Sequence, residues 1–328
     1  MSRRAADWNP RLLPDLTGRT YLVTGSNAGL GFFSSEQLAR AGARVIMTGR
    51  SPNRLAAARN ALLSRVTDAT TTGPVETLLL DTSNLGSVRA AAASVKHMVR
   101  KGLRFESRID GLLLNAGTVH PPKERCETLD GNELVFATNV LGHFALAGEL
   151  LPALAAAEGR MVWLGSMSTS MGPYDPIDPQ LVKDYSPWRA YVQSKVATTA
   201  LGLEADRRLR DTGVPVESVI AHPGYAISGR TPFVRGVNEP TRRARFVDNL
   251  QAPITQSKEH GAWPLVRALV DPDVEGGEMW GPKYVMHGEP RRTTPSRITR
   301  STELGDRLWH VCEKAAQVRW PFEKAARA

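Results

Sequence analysis

The stretch that decides the fold is Thr20–Gly31, TYLVTGSNAGLG. A short apolar, β-branched run, Thr20–Val23, passes without a break into Thr24-Gly25-Ser26-Asn27-Ala28-Gly29-Leu30-Gly31, and a helical pattern opens directly behind it over Leu30–Ala41. A near-continuous apolar strand is what a parallel sheet covered on both faces requires. The glycines permit a tight strand-to-helix turn and close approach of the backbone to a diphosphate, which would sit on the free N–H groups of the helix N-terminus. The spacing is Gly-xxx-Gly-x-Gly, not GxGxxG. The turn therefore carries weight through its context, a strand before and a helix after.

Working outward, the same alternation continues. Strands are expected at Arg44–Thr48, Val75–Leu80, Gly111–Leu114, Arg160–Leu164, Val216–Ala221 and Lys283–Met286. Helices are expected at Pro52–Ser64, Leu85–Arg100, Asn132–Ala157, Trp188–Arg210 and Ala262–Val270. Right-handed crossovers turn such an order into an α/β fold, a doubly wound parallel sheet with helices on both faces. No repeat or composition break divides the 328 residues, so residues 1–328 read as a single domain. Two regions depart from the alternation. Gly224–Ser257 is rich in Pro, Gly and Arg without a period, and is too long for an idle connection, so residues 224–257 read as a lid. Residues 290–328 form a basic extension ending in a helix, Glu303–Ala316, packed on the domain.

Composition narrows the class. Hydrophobic residues make up 41 % of the chain, which excludes a mostly disordered polymer. Cys126 and Cys312 stand far apart and outside any CxxC, against a disulfide scaffold or zinc ribbon and for a reducing compartment. The N-terminus MSRRAADWNPRLLPDL has charge but no apolar core, and no uninterrupted apolar run reaches the ~18 residues of a spanning helix. The expectation is a soluble, cytoplasmic chain without an integral membrane segment. The net charge of +9 allows nucleic acid, an anionic membrane, an acidic substrate or simple solubility. Arg242, Arg243 and Arg245 in the lid and Arg291, Arg292, Arg297 and Arg300 in the extension lack interleaved aromatics or a nucleic-acid-binding pattern. Nucleic acid is therefore the least favoured of the four, and a solvated basic surface leads. The seven His show no HExxH or His/Cys ligand spacing, so no metal is expected. A GxSxG elbow is also absent.

Ligands of an open α/β sheet bind beyond the carboxyl ends of the strands. The second strand ends in Thr48-Gly49-Arg50, where a carboxylate would select an unphosphorylated ribose. Arg50 can instead pair with a 2′-phosphate, so NADP(H) is expected over NAD(H), the alternative being an Arg that caps the sheet edge in solvent. Asp81 and Thr82 end the third strand and could meet an adenine ring; Asp81 or Ser83 could equally cap the next helix. Asn115-Ala116-Gly117 follow the fourth strand, Gly117 allowing close approach and Asn115 tying neighbouring strands.

The chemistry points to YVQSK. Tyr191 and Lys195 are one helical turn apart on one face. A phenol has a reference pKa near ~10 and must drop by roughly 2 to 3 units, about 3 to 4 kcal/mol, to shuttle protons near neutrality. One ammonium at ~5 Å, at an effective dielectric of ~20, supplies about 3 kcal/mol. Ser166 ends the fifth strand, where its hydroxyl could hold a substrate oxygen or start a turn. His222 reads as a packed strand end, and Trp163, Trp188, Trp263 and Trp280 as pocket walls or core.

These motifs occur in the order of the short-chain dehydrogenase/reductase family, which the chain resembles from about Gly18 to Ser228 through Thr24–Gly31, Asn115-Ala116-Gly117, Asn139 in NVLGHF, Ser166, Tyr191-xxx-Lys195 and Pro223-Gly224. The resemblance implies a Rossmann-type fold and an NADP(H)-dependent oxidoreductase acting on a small carbonyl or alcohol substrate. It implies Tyr191 as acid/base, Lys195 lowering its pKa and holding the nicotinamide ribose, Ser166 orienting the substrate oxygen, and Asn139 holding a relay water. Gly25, Ser26, Asn27, Gly29, Leu30 and Gly31 would meet the cofactor, with Pro223-Gly224 covering the nicotinamide and Ser228 where the family usually has Thr. Within the family, NVLGHF, the insertion at residues 167–187 and the late LWHVCEKAAQVRW are similar to the retinol dehydrogenase and protochlorophyllide reductase branch. A homodimer through the Trp188–Arg210 helix is a further implication, unless the tail covers that surface. The alternatives are a catalytically silent NADP(H) sensor or scaffold and a C=C reductase.

Overall fold

The computed structural model describes residues 9, 12–66, 72–101 and 108–326, and most of the N-terminal stretch read above lies outside them. The chain runs β1 (Thr20–Val23), α1 (Gly29–Arg40), β2 (Arg44–Gly49), α2 (Pro52–Arg65), β3 (Val75–Leu79), α3 (Leu85–Lys101) and β4 (Gly111–Leu114). It continues through α4 (Leu134–Phe136), a π-turn over Ala137–Leu141, α5 (Gly142–Ala155), β5 (Arg160–Leu164), α6 (Pro187–Asp211) and β6 (Glu217–Ala221). The remainder comprises β7 (Ala226–Ile227), α7 (Arg242–Leu250), β8 (Gln256–Ser257), α8 (Lys258–Gly261), α9 (Trp263–Val270), β9 (Met279–Pro282), β10 (Pro290–Thr293), α10 (Thr302–Ala316) and α11 (Phe322–Ala325).

Eight strands form one sheet in the order β10-β9-β6-β5-β4-β1-β2-β3. Every pairing is parallel except β10 on β9. The central strands β1 and β4 are buried along their whole length, as their unbroken apolar sequences require. One core lies between the sheet and α3, α5 and α6, and a second between the sheet and α1, α2 and α9. The expected doubly wound α/β fold is thus present, with local capping where the sequence offers it. Ser51 and Ser186 accept from the N–H groups of Arg54 and Arg189, and Pro52 and Pro187 follow at the first helical position.

Two expectations are corrected. The last parallel strand is Met279–Pro282, not Lys283–Met286, which forms a turn with Val285 at φ 66°. Gly281 and Pro282 read locally as breakers, yet Gly281 is where the sheet needs no side chain: a Cβ there would lie 2.0 Å from His222 Nε2. The helix expected over Asn132–Ala157 begins only at Leu134, behind Glu133, whose carboxylate accepts from the N–H groups of Val135 and Phe136, and it is broken by the π-turn. Leu134–Ala155 is long and apolar enough to span a bilayer by composition, but 83 % of its apolar 18-residue window is buried, and it serves as the central core helix.

The C-terminal extension packs on α5 and α6. Trp309 packs edge-on and Trp320 tilted against Phe144, with ring centroids 4.9 and 5.5 Å away, and Gly148 leaves room for the Trp320 indole, which would stand 2.6 Å from a Cβ at that position. Arg208 of α6 lies over Trp309 and pairs with Asp306 of α10 at 2.5 Å. The outward face of α6 is therefore partly covered by the tail.

Candidate active site

The carboxyl ends of β1, β2, β4, β5 and β6 border one cleft of about 780 Å³. Most of the residues expected there line it: Gly25, Asn27, Gly29 and Leu30 from the first turn, Arg50 behind β2, Asp81 and Thr82 behind β3, Asn115, Ala116 and Gly117 behind β4, Ser166 behind β5, Tyr191 and Lys195 on α6, and Pro223, Gly224 and Ser228 behind β6.

Three do not. Ser26 is fully buried, its hydroxyl donating to Thr48 O and accepting from Thr48 N at 2.7 Å, so it ties the loop to β2. Gly31 sits beneath the loop, where a Cβ would meet Gly25 O at 2.5 Å and Asn115 Nδ2 at 2.6 Å. Asn139 is buried with its side chain already engaged: Oδ1 accepts from Thr118 N at 2.8 Å, and Nδ2 donates to Ser194 Oγ at 2.9 Å. Its backbone carbonyl accepts from Thr198 Oγ1 at 3.3 Å and lies 3.2 Å from His143 Nδ1. The Thr198 hydroxyl has a shorter contact to Ser194 O, at 2.8 Å, so it shares its one hydrogen between the two carbonyls. Residues 137–141 owe this geometry to the π-turn, which shifts carbonyls out of the helical ladder.

The first turn presents unpaired backbone donors to the cleft. Gly25 holds φ +65°, and a Cβ on it would strike Ala116 Cα at 2.8 Å. Ala28 provides no side-chain cap to α1, and the first turn of α1 contains no acid, so its N-terminal N–H groups keep their positive end toward the cleft. Asn115 donates from Nδ2 to Thr24 O at 2.8 Å and fixes β4 against that turn. Asp81 accepts from both the backbone and hydroxyl of Ser83, whereas the cap of α3 is Asn84, accepting from Ser87 N at 3.0 Å, rather than Asp81 or Ser83. Arg50 and Arg54, both exposed, flank the Gly49 end of the cleft.

The chemical end is drier. Ser166 opens a 3-10 turn, and its Oγ accepts from Ser168 N at 3.1 Å and from Tyr191 Oη at 3.4 Å. Lys195 is buried, donates to Leu164 O at 2.7 Å, and its Nζ lies 6.0 Å from the centre of the Tyr191 ring. Burial raises the Tyr191 phenol above its ordinary value, partly opposed by the Ser166 hydrogen bond. Burial also pulls the Lys195 ammonium down to about 8. Burial therefore works against the expected depression of Tyr191, since loss of water outweighs what the Ser166 hydrogen bond supplies. As it stands, Tyr191 is a protonated donor aimed at Ser166.

Sequence reading missed residues that approach from the lid. Lys258 Nζ donates to Ser228 Oγ at 2.6 Å and would lie 3.9 Å from a Cβ on Gly29, beside the glycine turn. Asp248 of α7 lines the cleft and accepts from Gly229 N at 2.7 Å. Neither lies in a motif; only their folding back across the first turn reveals them. Of the four tryptophans, Trp188 lines the cleft at 48 % exposure, Trp163 and Trp280 are core, and Trp263 packs on His260. His222 is buried and accepts from Gly224 N, a structural strand end.

Comparison with known proteins agrees with this architecture. The family profile described as short chain dehydrogenase matches residues 19–235. A polyprenol dehydrogenase from Mus musculus is 35 % identical over 315 residues, covering 94 % of this chain and 87 % of that protein. Retinol dehydrogenase 14 from Homo sapiens is 32 % identical over 303 residues, covering 90 % and 85 %. A solved structure of an uncharacterised protein from Mycobacterium paratuberculosis superposes with a TM-score of 0.74 at 32 % identity, covering 96 % of this chain and 99 % of that one. With a parallel sheet in this strand order and such full-length relatives, the chain belongs to the short-chain dehydrogenase/reductase family, oxidoreductases that act on alcohol and carbonyl groups with a nicotinamide cofactor.

Proposed function

We propose that the chain is an NADP(H)-dependent oxidoreductase that interconverts an alcohol and a carbonyl on an apolar substrate, with Tyr191 as proton donor and acceptor. The observation that carries this reading is the Tyr191 hydroxyl 3.4 Å from Ser166 Oγ in the same cleft as the glycine turn. The uncapped N-terminus of α1 fits a diphosphate, and Lys258, whose side chain lies over Gly29, would pair with it. Arg50 would meet a 2′-phosphate, Asp81 and Thr82 would border the adenine, Lys195 would donate to ribose hydroxyls, and Ser228 with Pro223-Gly224 would flank the nicotinamide. The cofactor supplies or takes the hydride.

In reduction, Ser166 holds the substrate oxygen and the Tyr191 phenol, protonated at neutral pH by its burial, delivers the proton to it. In oxidation, the phenol must first ionise, which the Lys195 cation favours. Trp188, Val119 and Tyr225 at the open side of the cleft suit an apolar substrate, and polyprenol and retinol dehydrogenases are among the relatives. The homodimer implied by the resemblance would have to use a surface other than the tail-covered part of α6.

An NADPH-consumption screen over aliphatic aldehydes, retinoids, steroids and quinones tests this. Tyr191→Phe should lower turnover on any responsive substrate by about 10²- to 10⁴-fold, with NADPH binding nearly unchanged. Turnover that survives the change would refute the role of Tyr191, and NADPH binding with no turnover on any substrate would favour a silent sensor.

A further inference from the structure

The lid helix α7, RRARFVDNL, has its polarity inverted. None of its residues is buried. A helix on a globular protein normally turns its apolar stripe to the core. Here the side turned inward carries Asp248, bonded to Gly229 N, while Phe246 and Leu250 stand 68 % and 69 % exposed, with Val247 beside them. Residues Arg243, Phe246, Val247 and Leu250 share one stripe by their three- and four-residue spacing.

The apolar surface continues beyond the helix along the rim of the cleft. Tyr225, itself a cleft residue, donates from its hydroxyl to Gln251 at the end of α7 and from its N–H to Met286 O, joining the lid to the turn that exposes Tyr284 and Val285. Ile254 is exposed between them in sequence. The surrounding charge is basic. Arg242 and Arg243 are exposed on the lid, and Lys283 and Arg291 beside the turn, where Glu289 is an exposed acid between them. The two acids in the segment from Arg235 to Ile254 are turned to backbone, Glu239 accepting from Gly236 N and Asp248 from Gly229 N.

We infer that this rim docks on an anionic phospholipid surface, with Phe246, Val247 and Leu250 entering the apolar boundary and the arginines pairing with lipid phosphates. Exposed aromatic and aliphatic side chains flanked by Arg and Lys are the composition of an interfacial helix, and clustered cations add attraction to anionic lipid. A second copy of the chain fits less well, because Arg243 sits among the apolar side chains of the stripe, a cation that lipid phosphates neutralise and that a copy of the same acid-free stripe does not. Docking places the cleft mouth at the bilayer, so an apolar substrate enters without crossing water. The docking surface stands on its own geometry, and only this consequence rests on the apolar-substrate reading.

The test is co-sedimentation of the full chain with vesicles of phosphatidylcholine alone and of an equal mixture of phosphatidylcholine and phosphatidylglycerol. Binding to the mixed vesicles is expected, about tenfold or more weaker on phosphatidylcholine and in high salt. Phe246→Ser with Leu250→Ser, and separately Arg242→Gln with Arg243→Gln, should each weaken it about tenfold or more. Both variants should keep the circular dichroism of the parent and its NADPH-dependent turnover of a short water-soluble aldehyde. No binding to the mixed vesicles, equal binding to both compositions, or binding undiminished in the variants overturns the proposal. So does light scattering that reveals pairs of chains dissolved by the Phe246 and Leu250 changes. Failure of the docking leaves soluble-aldehyde turnover intact, whereas failure of the proposed activity leaves vesicle binding intact.

Discussion

Lys195→Met separates two roles for one ammonium. The wild-type Nζ lies 6.0 Å from the Tyr191 ring centre. At that distance and an effective dielectric of ~20, a unit charge stabilises a tyrosinate by about 3 kcal/mol, or roughly 2 pKa units. Burial alone raises Tyr191, so without the cation the phenol should ionise about 2 units higher still. Alcohol oxidation needs the ionised phenol. Its kcat/KM, followed against pH at saturating NADP⁺, should have its rising limb displaced upward by about 2 units and fall by about 100-fold at a fixed pH below the midpoint. Lys195 has its own limit, because burial lowers it to about 8 in the free protein. A tyrosinate beside it favours the charged form by the same energy that it receives, which extends the range of the ammonium upward by about 2 units. Lys195→Arg keeps the charge and should hold the midpoint near that of the parent even where the rate drops. The Lys195 argument is refuted if Lys195→Met loses rate while the midpoint stays where it was; the ammonium would then only hold cofactor.

Other consequences can be measured on the same protein. Arg50→Asp should weaken NADPH by about 10- to 100-fold and NADH far less, the span expected of a lost charge-assisted contact; equal losses in titration calorimetry would remove Arg50 from the 2′-phosphate. Lys258→Met should raise the Kd of NADPH about tenfold at low salt, with a smaller effect in high salt and little change in the Kd of adenosine 2′-phosphate, which has no diphosphate; equal losses for both would contradict the assignment. His143 is held neutral by burial, its pKa lowered to about 3. The unfolded chain binds that proton below about pH 6.5 and the folded chain does not, so stability is intact above that pH and lost as pH falls. Between pH 6.5 and 4.5 the loss should be about 2 to 3 kcal/mol in denaturant unfolding, and smaller in His143→Gln. An unchanged acid slope in the variant would place the protonation elsewhere.

What local chemistry specifies was legible before any coordinates. The run into Gly25, the alternation of apolar strands with Ala-rich helices and the four-residue step from Tyr191 to Lys195 depend on residues close in the chain. They recur as β1, the doubly wound sheet and a pair on one face of α6. β9 was misplaced because Gly281 and Pro282 look like breakers until His222, far away in sequence, fills the space a side chain would need. Asn84, not Asp81 or Ser83, caps α3, a choice among adjacent polar residues that propensity does not rank.

The tertiary structure alone decided the electrostatics and the accessibility of the site. The YVQSK spacing predicts that Lys195 sits near Tyr191, but the phenol is raised because packing strips it of water, a property of the surrounding shell rather than of the motif. Asn139 lies in a recognisable stretch, yet the contacts its side chain makes with Thr118 and Ser194 arise through a π-turn with no sequence signature. Lys258 reaches the glycine turn, and Trp309 reaches α6, only after the lid and tail fold back. Backbone periodicity is written locally, residue by residue. Desolvation and contacts between distant segments exist only once the chain has closed on itself.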